Sequence, residues 1–164
     1  MLTVQPDRGG LLVLLFMLSG PVMADSAPTT VTLKSLSHIT ANKMVVASLA
    51  ECTKRGYSVA ASVVGRNGDL LAFLRNPLAG PHTEEVSQRK AYSSATFQTA
   101  TSQMKARTDL SFAPKILLIQ GGVPINIGGV FYGGMAVAGA TPEADEACAQ
   151  AGIDAVKEEV LFDS

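Results

Sequence analysis

The chain has no tryptophan and, with 3 tyrosines and 6 phenylalanines, few aromatics of any kind. Stacking platforms for single-stranded nucleic acid are therefore missing. Positive charge is not in excess either: 13 Lys and Arg stand against 14 Asp and Glu, which leaves no basic stripe to neutralise a phosphate backbone. Only 2 cysteines occur, Cys52 and Cys148, and their spacing suits neither a zinc site nor a C-x-x-C-H cofactor attachment. A G-x-S-x-G nucleophile elbow, a G-x-x-x-x-G-K phosphate loop and a cysteine with an evident histidine partner are absent as well. Gly121-Gly122 runs into Pro124 rather than into a helix, so it is no dinucleotide fingerprint.

The one long apolar run is short for a membrane span. Arg8 precedes Leu11 to Leu18, and Val22-Met23-Ala24 follows with small residues where a signal peptidase would cut. Residues 1–24 are expected to be a signal peptide, with export to the periplasm or outside the cell and no membrane attachment after cleavage. No cysteine follows the run, which argues against a lipoprotein. Residues 25–30 read as a loose polar leader and 31–164 as one domain. In an oxidising compartment Cys52 and Cys148 can bridge; they can also be two small buried apolar residues on helices.

Local signals give the order helix, two strands, two helices, three strands, helix. Thr32 caps a helix expected over 33–55, with Leu36, Ile39, Val46, Leu49 and Ala50 on its apolar face. Residues 57–64 and 69–74 are strands joined at Asn67-Gly68, followed by a Pro- and Gly-broken loop over 75–83. A helix from Glu84 to about Thr99 and a looser piece through Met104 come next. Strands are expected over 116–120, 123–127 and 130–138, then a helix over 142–159 opened by Thr141-Pro142-Glu143. Seven of the 15 glycines lie between Gly121 and Gly139, where paired glycines in strands mark turns, bulges or the close approach of another backbone or a flat ligand. Hairpin-connected strands bracketed by helices imply an α+β domain, an antiparallel sheet of about five strands with helices packed on its faces.

His82 stands between Pro81 and Thr83 just before a helix start, where a neutral imidazole can ligate haem iron or another metal, or simply face solvent. His38 shares a helical stripe with Val45 and Leu49, which favours packing over ligation. Arg75 and Lys90 flank the His82 loop; two cations beside an apolar pocket suit a propionate or a small carboxylic acid, and otherwise are solvated charges. Tyr92, Phe97 and Tyr132 can line such a pocket or fill the core, as can Met44, Met104 and Met135. Glu84-Glu85 suits the helix N-terminus.

These motifs, in this order, resemble the GlcG/HbpS family of small haem-binding or haem-degrading domains, also found fused to the PduO adenosyltransferase. The matching residues are Thr32-Leu33, Val63 through Gly68 with Leu70 and Leu71, the Arg75 loop, and Lys90-Ala91-Tyr92 with Ala95 and Phe97. Gly121-Gly122-Val123-Pro124-Ile125, Gly134 through Gly139, Asp145-Glu146 and Gly152 complete them, so that the resemblance spans about residues 31–157. The chain departs from the family at Asn76-Pro77-Leu78, where an acidic residue is common, and at Ser87. The resemblance implies a profilin-like fold, assembly into homo-oligomers, and haem as ligand, with a sensor or transport protein as a possible partner. The haem pocket is expected to draw on His82, Arg75, Lys90, Tyr92 and Phe97, with Gly121, Gly122 and Pro124 beside them. His82 is the first axial-ligand candidate and His38 the second. The alternative is a GlcG-like protein that binds or oxidises a small organic acid.

Overall fold

The computed structural model describes residues 28–163, of which those from Leu33 onward form one compact unit. The expected signal peptide, its cleavage point and the start of the leader lie outside the described residues. The helices are α1 (His38–Lys54), α2 (Thr83–Phe97), α3 (Pro142–Asp154) and α4 (Lys157–Phe162). The strands are β1 (Ala60–Gly65), β2 (Leu70–Arg75), β3 (Gly122–Ile127) and β4 (Val130–Ala138), forming a four-stranded antiparallel sheet in the order β2-β1-β4-β3. Short 3-10 turns at Thr101–Met104 and Thr108–Phe112 link α2 to the second half of the chain.

β1 and β4 are the central strands and are buried almost throughout. Met135 and Val137 of β4 join Ala61 and Val63 of β1 in the main core with residues of α1 and α3. Ala136, with Val64, belongs to a smaller cluster under α2, whose Ala91 and Ala95 face it. Glycine sets that spacing. A Cβ on Gly134 would run into the Ala91 carbonyl and the Ala95 amide, so α2 sits closer to the sheet than any larger residue permits. The close backbone approach expected of the paired glycines is therefore made by a helix of the same chain.

Three expectations shift. Helix α1 begins at His38 rather than near Leu33, because Ser37 supplies the cap: its Oγ accepts the Thr40 N–H at 3.1 Å. Leu36, just before the cap, and Ala41, one turn in, both enter the core, as a hydrophobic staple does. The buried face of α1 is consequently Ala41, Met44, Val45, Ser48 and Cys52, while Ile39 and Val46 are exposed. This narrower, smaller face lets α1 press on α3, where Ser48 Oγ donates to the Cys148 carbonyl at 2.8 Å.

Residues 116–120 are not a strand, and among the described residues the sheet has four strands where about five were expected. Side chains of α2 take the place of a strand partner here: Arg89 Nη2 donates to the Ile116 carbonyl at 3.0 Å, and Ser93 Oγ accepts the Leu117 N–H at 2.7 Å. Lys115 at φ 66° and Gly121 at φ 126° turn the chain on either side of the segment. The last helix is also broken. Val156 is buried in the core, and the turn that puts it there separates α3 from α4.

Cys52 and Cys148 form a disulfide between α1 and α3, with Cα atoms 5.7 Å apart, and both residues are fully buried. Of the two readings open for this pair, the structure takes the bridge.

Candidate functional site

His82 occupies the position just before α2, with helical backbone angles and no capping bond from its side chain, so the exposed imbidazole ring is not engaged in holding the helix end. The loop carrying it is braced from within. Arg75 Nη1 donates to the Ala79 carbonyl at 2.6 Å, Asn76 Oδ1 accepts the Leu78 N–H at 2.9 Å, and Thr83 Oγ1 donates to the Gly80 carbonyl at 2.7 Å. Gly80 leaves room for the ring: a Cβ there would stand 2.7 Å from the imidazole Cε1.

The ring borders an open cleft of about 310 Å³. One wall is the start of α2, with Thr83 and Val86; the other is the corner from β4 into α3, with Ala138, Gly139, Ala140 and Pro142. Half-exposed Ile119 adds apolar surface at the mouth. Small residues along the β4–α3 corner leave a smooth wall against which a flat apolar ring can lie.

Lys90 and Asp145 line the same cleft from beneath. Lys90 Nζ is 2.8 Å from Asp145 Oδ2 and donates also to the Val137 carbonyl at 3.1 Å; the two side chains are only 2% and 4% exposed. Asp145 Oδ1 accepts the Ala140 N–H at 3.0 Å. Burial pushes the Asp145 carboxyl above its ordinary value, and the Lys90 ammonium beside it pulls in the opposite direction. The pair ties α2 to β4 and to the first turn of α3, which are the two walls of the cleft.

The structure brings together His82 and Lys90; Arg75 does not line the cleft and reaches the His82 loop only at the Ala79 carbonyl. Lys90 is not a solvated cation waiting for a propionate, since its charge faces Asp145. Gly121 and Gly122 press on Lys90 itself: a Cβ on Gly121 would lie 2.8 Å from Nζ, and one on Gly122 would meet the Lys90 carbonyl. They give the lysine its space and do not border the cleft. Pro124 lies in β3 opposite Gly134. Phe97 is half-buried at the far end of α2, and Tyr92 borders a separate cleft with Lys115. His38 opens α1 and is exposed, the reverse of a packing residue. Met44, Met135 and Tyr132 fill the main core. Among the described residues no group of three or more His, Cys, Asp or Glu side chains is arranged to hold a metal ion.

Asp145 was legible only as one of the residues, with Glu146, that carry the family resemblance. Nothing in the sequence pairs it with Lys90, 55 residues away.

A family model described as "Haem degrading protein HbpS-like" matches residues 36–154. Protein GlcG of Escherichia coli K12 is 31% identical over 107 residues, which cover 62% of this chain and 80% of that protein. The crystal structure of a double mutant of Streptomyces reticuli HbpS superposes with a TM-score of 0.73 at 30% identity, covering 83% of this chain and 96% of the other. The PduOC:heme complex shares the fold at 23% identity, with a TM-score of 0.69 over 74% of this chain and 95% of the other.

Proposed function

The chain belongs to the HbpS-like family, and from that premise we propose that it is an exported, homo-oligomeric haem-binding protein that buffers, carries or senses haem. The observation that carries this reading is the His82 imidazole, uncommitted to helix capping, on the rim of a cleft with apolar and small-residue walls. The residues fit the group: an iron needs a donor, which His82 supplies, and a porphyrin face needs flat apolar contact, which Val86, Ile119 and the Ala138–Pro142 corner supply. Bound haem would add redox-active iron. The protein's own part is to hold the ring, exclude water from one face and present Nδ1 or Nε2 to the metal. Arg75 acts on this site by fixing the loop at Ala79. The heme named in the PduOC complex agrees with this reading.

Titration of the chain beginning at Asp25 with hemin should give a saturable Soret change. His82→Ala should move the Soret maximum and speed haem loss by about tenfold or more, equivalent to about 1.4 kcal/mol. His38→Ala should leave both unchanged. Wild-type spectra and off-rates in His82→Ala would remove His82 as ligand, and absence of a saturable change in the wild type would remove the haem reading. The same preparation should show, by light scattering, at least the mass of a dimer; a monomer at micromolar concentration would defeat the oligomer.

A further inference from the structure

Helix α2 packs over β4 and β1 but barely reaches β2, so among the described residues the sheet face beside Leu70 is left open. The gap is an open cleft of about 330 Å³ between the β1–β2 hairpin and the outer side of α2. Its apolar surface is Val64 with half-exposed Leu70, brought side by side because the β1–β2 register shifts at Val63/Val64 and pairs those two residues. Tyr92 forms one side. Its ring edge rests on Gly68, where a Cβ would come within 2.8 Å of Cε2, so the ring position depends on a glycine at φ 87°.

Opposite the apolar floor the cleft is cationic. Lys115 holds its Nζ 5.6 Å from the centroid of the Tyr92 ring. It does so from φ 66°, a backbone conformation that non-glycine residues seldom take and that collects at functional sites. Arg89 lies beside it, fixed by the bond from Nη2 to the Ile116 carbonyl. The one carboxylate lining the cleft, Glu85, is 3.4 Å from Arg89 Nη1 and largely exposed, so two cations meet one anion. Arg89 Nε is buried with no hydrogen-bond partner among the described residues, a donor whose desolvation they leave uncompensated. An apolar floor, an aromatic side, one surplus positive charge and an unused donor together describe a complement for a planar ring bearing a carboxylate.

We propose that the Tyr92–Lys115–Arg89 cleft binds a small aromatic monocarboxylate, at a site separate from the His82 cleft and independent of the haem reading. The ring lies between Tyr92 and Leu70, and the carboxylate faces Lys115 and Arg89. Nothing in the site requires a covalent step.

The probe is benzoate, followed by amide chemical shifts of the labelled chain from Asp25. Saturable shifts are expected at Gly68, Tyr92 and Lys115. Benzamide, with the same ring and no charge, should bind at least about fivefold more weakly, as should benzoate to Lys115→Met and to Tyr92→Leu, each about 1 kcal/mol. His82→Ala should bind benzoate as the wild type does. Equal binding of benzamide, shifts confined to other surfaces, or an unchanged Lys115→Met would each overturn the site. Tighter binding of N-acetylphenylalanine than of benzoate would assign the cleft to a peptide C-terminus and overturn the small-acid proposal. Displacement of benzoate by hemin in the His82→Ala variant would show that this cleft is itself the haem site. Failure of hemin to bind with benzoate binding intact would leave this inference standing while the haem reading falls.

Discussion

Cys52→Ala/Cys148→Ala should lower the free energy of unfolding by about 4–5 kcal/mol, the largest loss expected from any pair of small substitutions here. The bridge joins residues 96 apart in sequence, so breaking it releases a long loop in the unfolded chain, and the entropy gained by that state grows with loop length. The native side loses less. Ser48 Oγ still holds the Cys148 carbonyl, and the glycine at 152 still lets α3 lie against Met44 and Ser48 of α1. The variant should therefore keep its fold and unfold at lower urea concentration. Both cysteines are fully buried, so added reductant should act on the native protein only as fast as it opens. A urea midpoint within the error of wild type would mean that the bridge contributes nothing to the folded chain. A bridge of this kind suits the oxidising compartment that export would supply.

Much of the fold was open to a reader of the sequence, because its signals are local. Asn67-Gly68 and Gly128-Gly129 turn the two hairpins, and Thr141-Pro142 starts α3 with Thr141 Oγ1 accepting the Ala144 N–H. Where two local signals competed, tertiary packing decided between them. Thr32 and Ser37 are both fair caps; Ser37 wins because the residue before it, Leu36, can then enter the core. Residues 116–120 begin with a short apolar run, Ile-Leu-Leu-Ile, that suits a buried strand, yet Arg89 and Ser93 of α2 take the Ile116 carbonyl and the Leu117 N–H where a strand partner would bond.

The site divides in the same way. His82 was visible as an imidazole on a proline-framed loop, and Arg75 as a cation near it, since both belong to one short segment. The fate of Lys90 was not. A helix carrying Arg89-Lys90 shows two cations side by side, and only the packed structure sends Lys90 inward to Asp145 and Arg89 outward to the 116–117 backbone. The Tyr92 cleft was hidden for a further reason: its charge arrives on Lys115, from a segment whose path has no periodic signature.

Lys90→Met should cost about 3–5 kcal/mol near pH 7, and the cost should shrink towards acid pH. The substitution keeps most of the aliphatic bulk but leaves Asp145 buried with the Ala140 N–H and without its cation. The sign follows from the direction of the carboxyl's shift. Burial already raises the Asp145 carboxyl above its unfolded value while Lys90 opposes the rise. A carboxyl raised on folding binds more protons in the native state, so stability falls as pH climbs from about 4 through the raised value. Losing Lys90 removes the opposing charge and extends that window to higher pH. Urea midpoints measured from about pH 4 to pH 8 should thus diverge between wild type and variant as pH rises. Lys90→Met/Asp145→Asn should recover much of the loss near pH 7, because no unpaired charge is then left inside. It should also lack the added pH slope, since the amide does not titrate. A cost for Lys90→Met that is the same at every pH would show that lost packing, not the stranded carboxylate, is what the lysine prevents. Because the pair joins both walls of the His82 cleft, the double variant separates charge from architecture: if its hemin off-rate returns to wild type with its stability, the cleft needs packed walls with no stranded charge between them, and a fast off-rate at recovered stability shows that the ion pair itself sets the cleft.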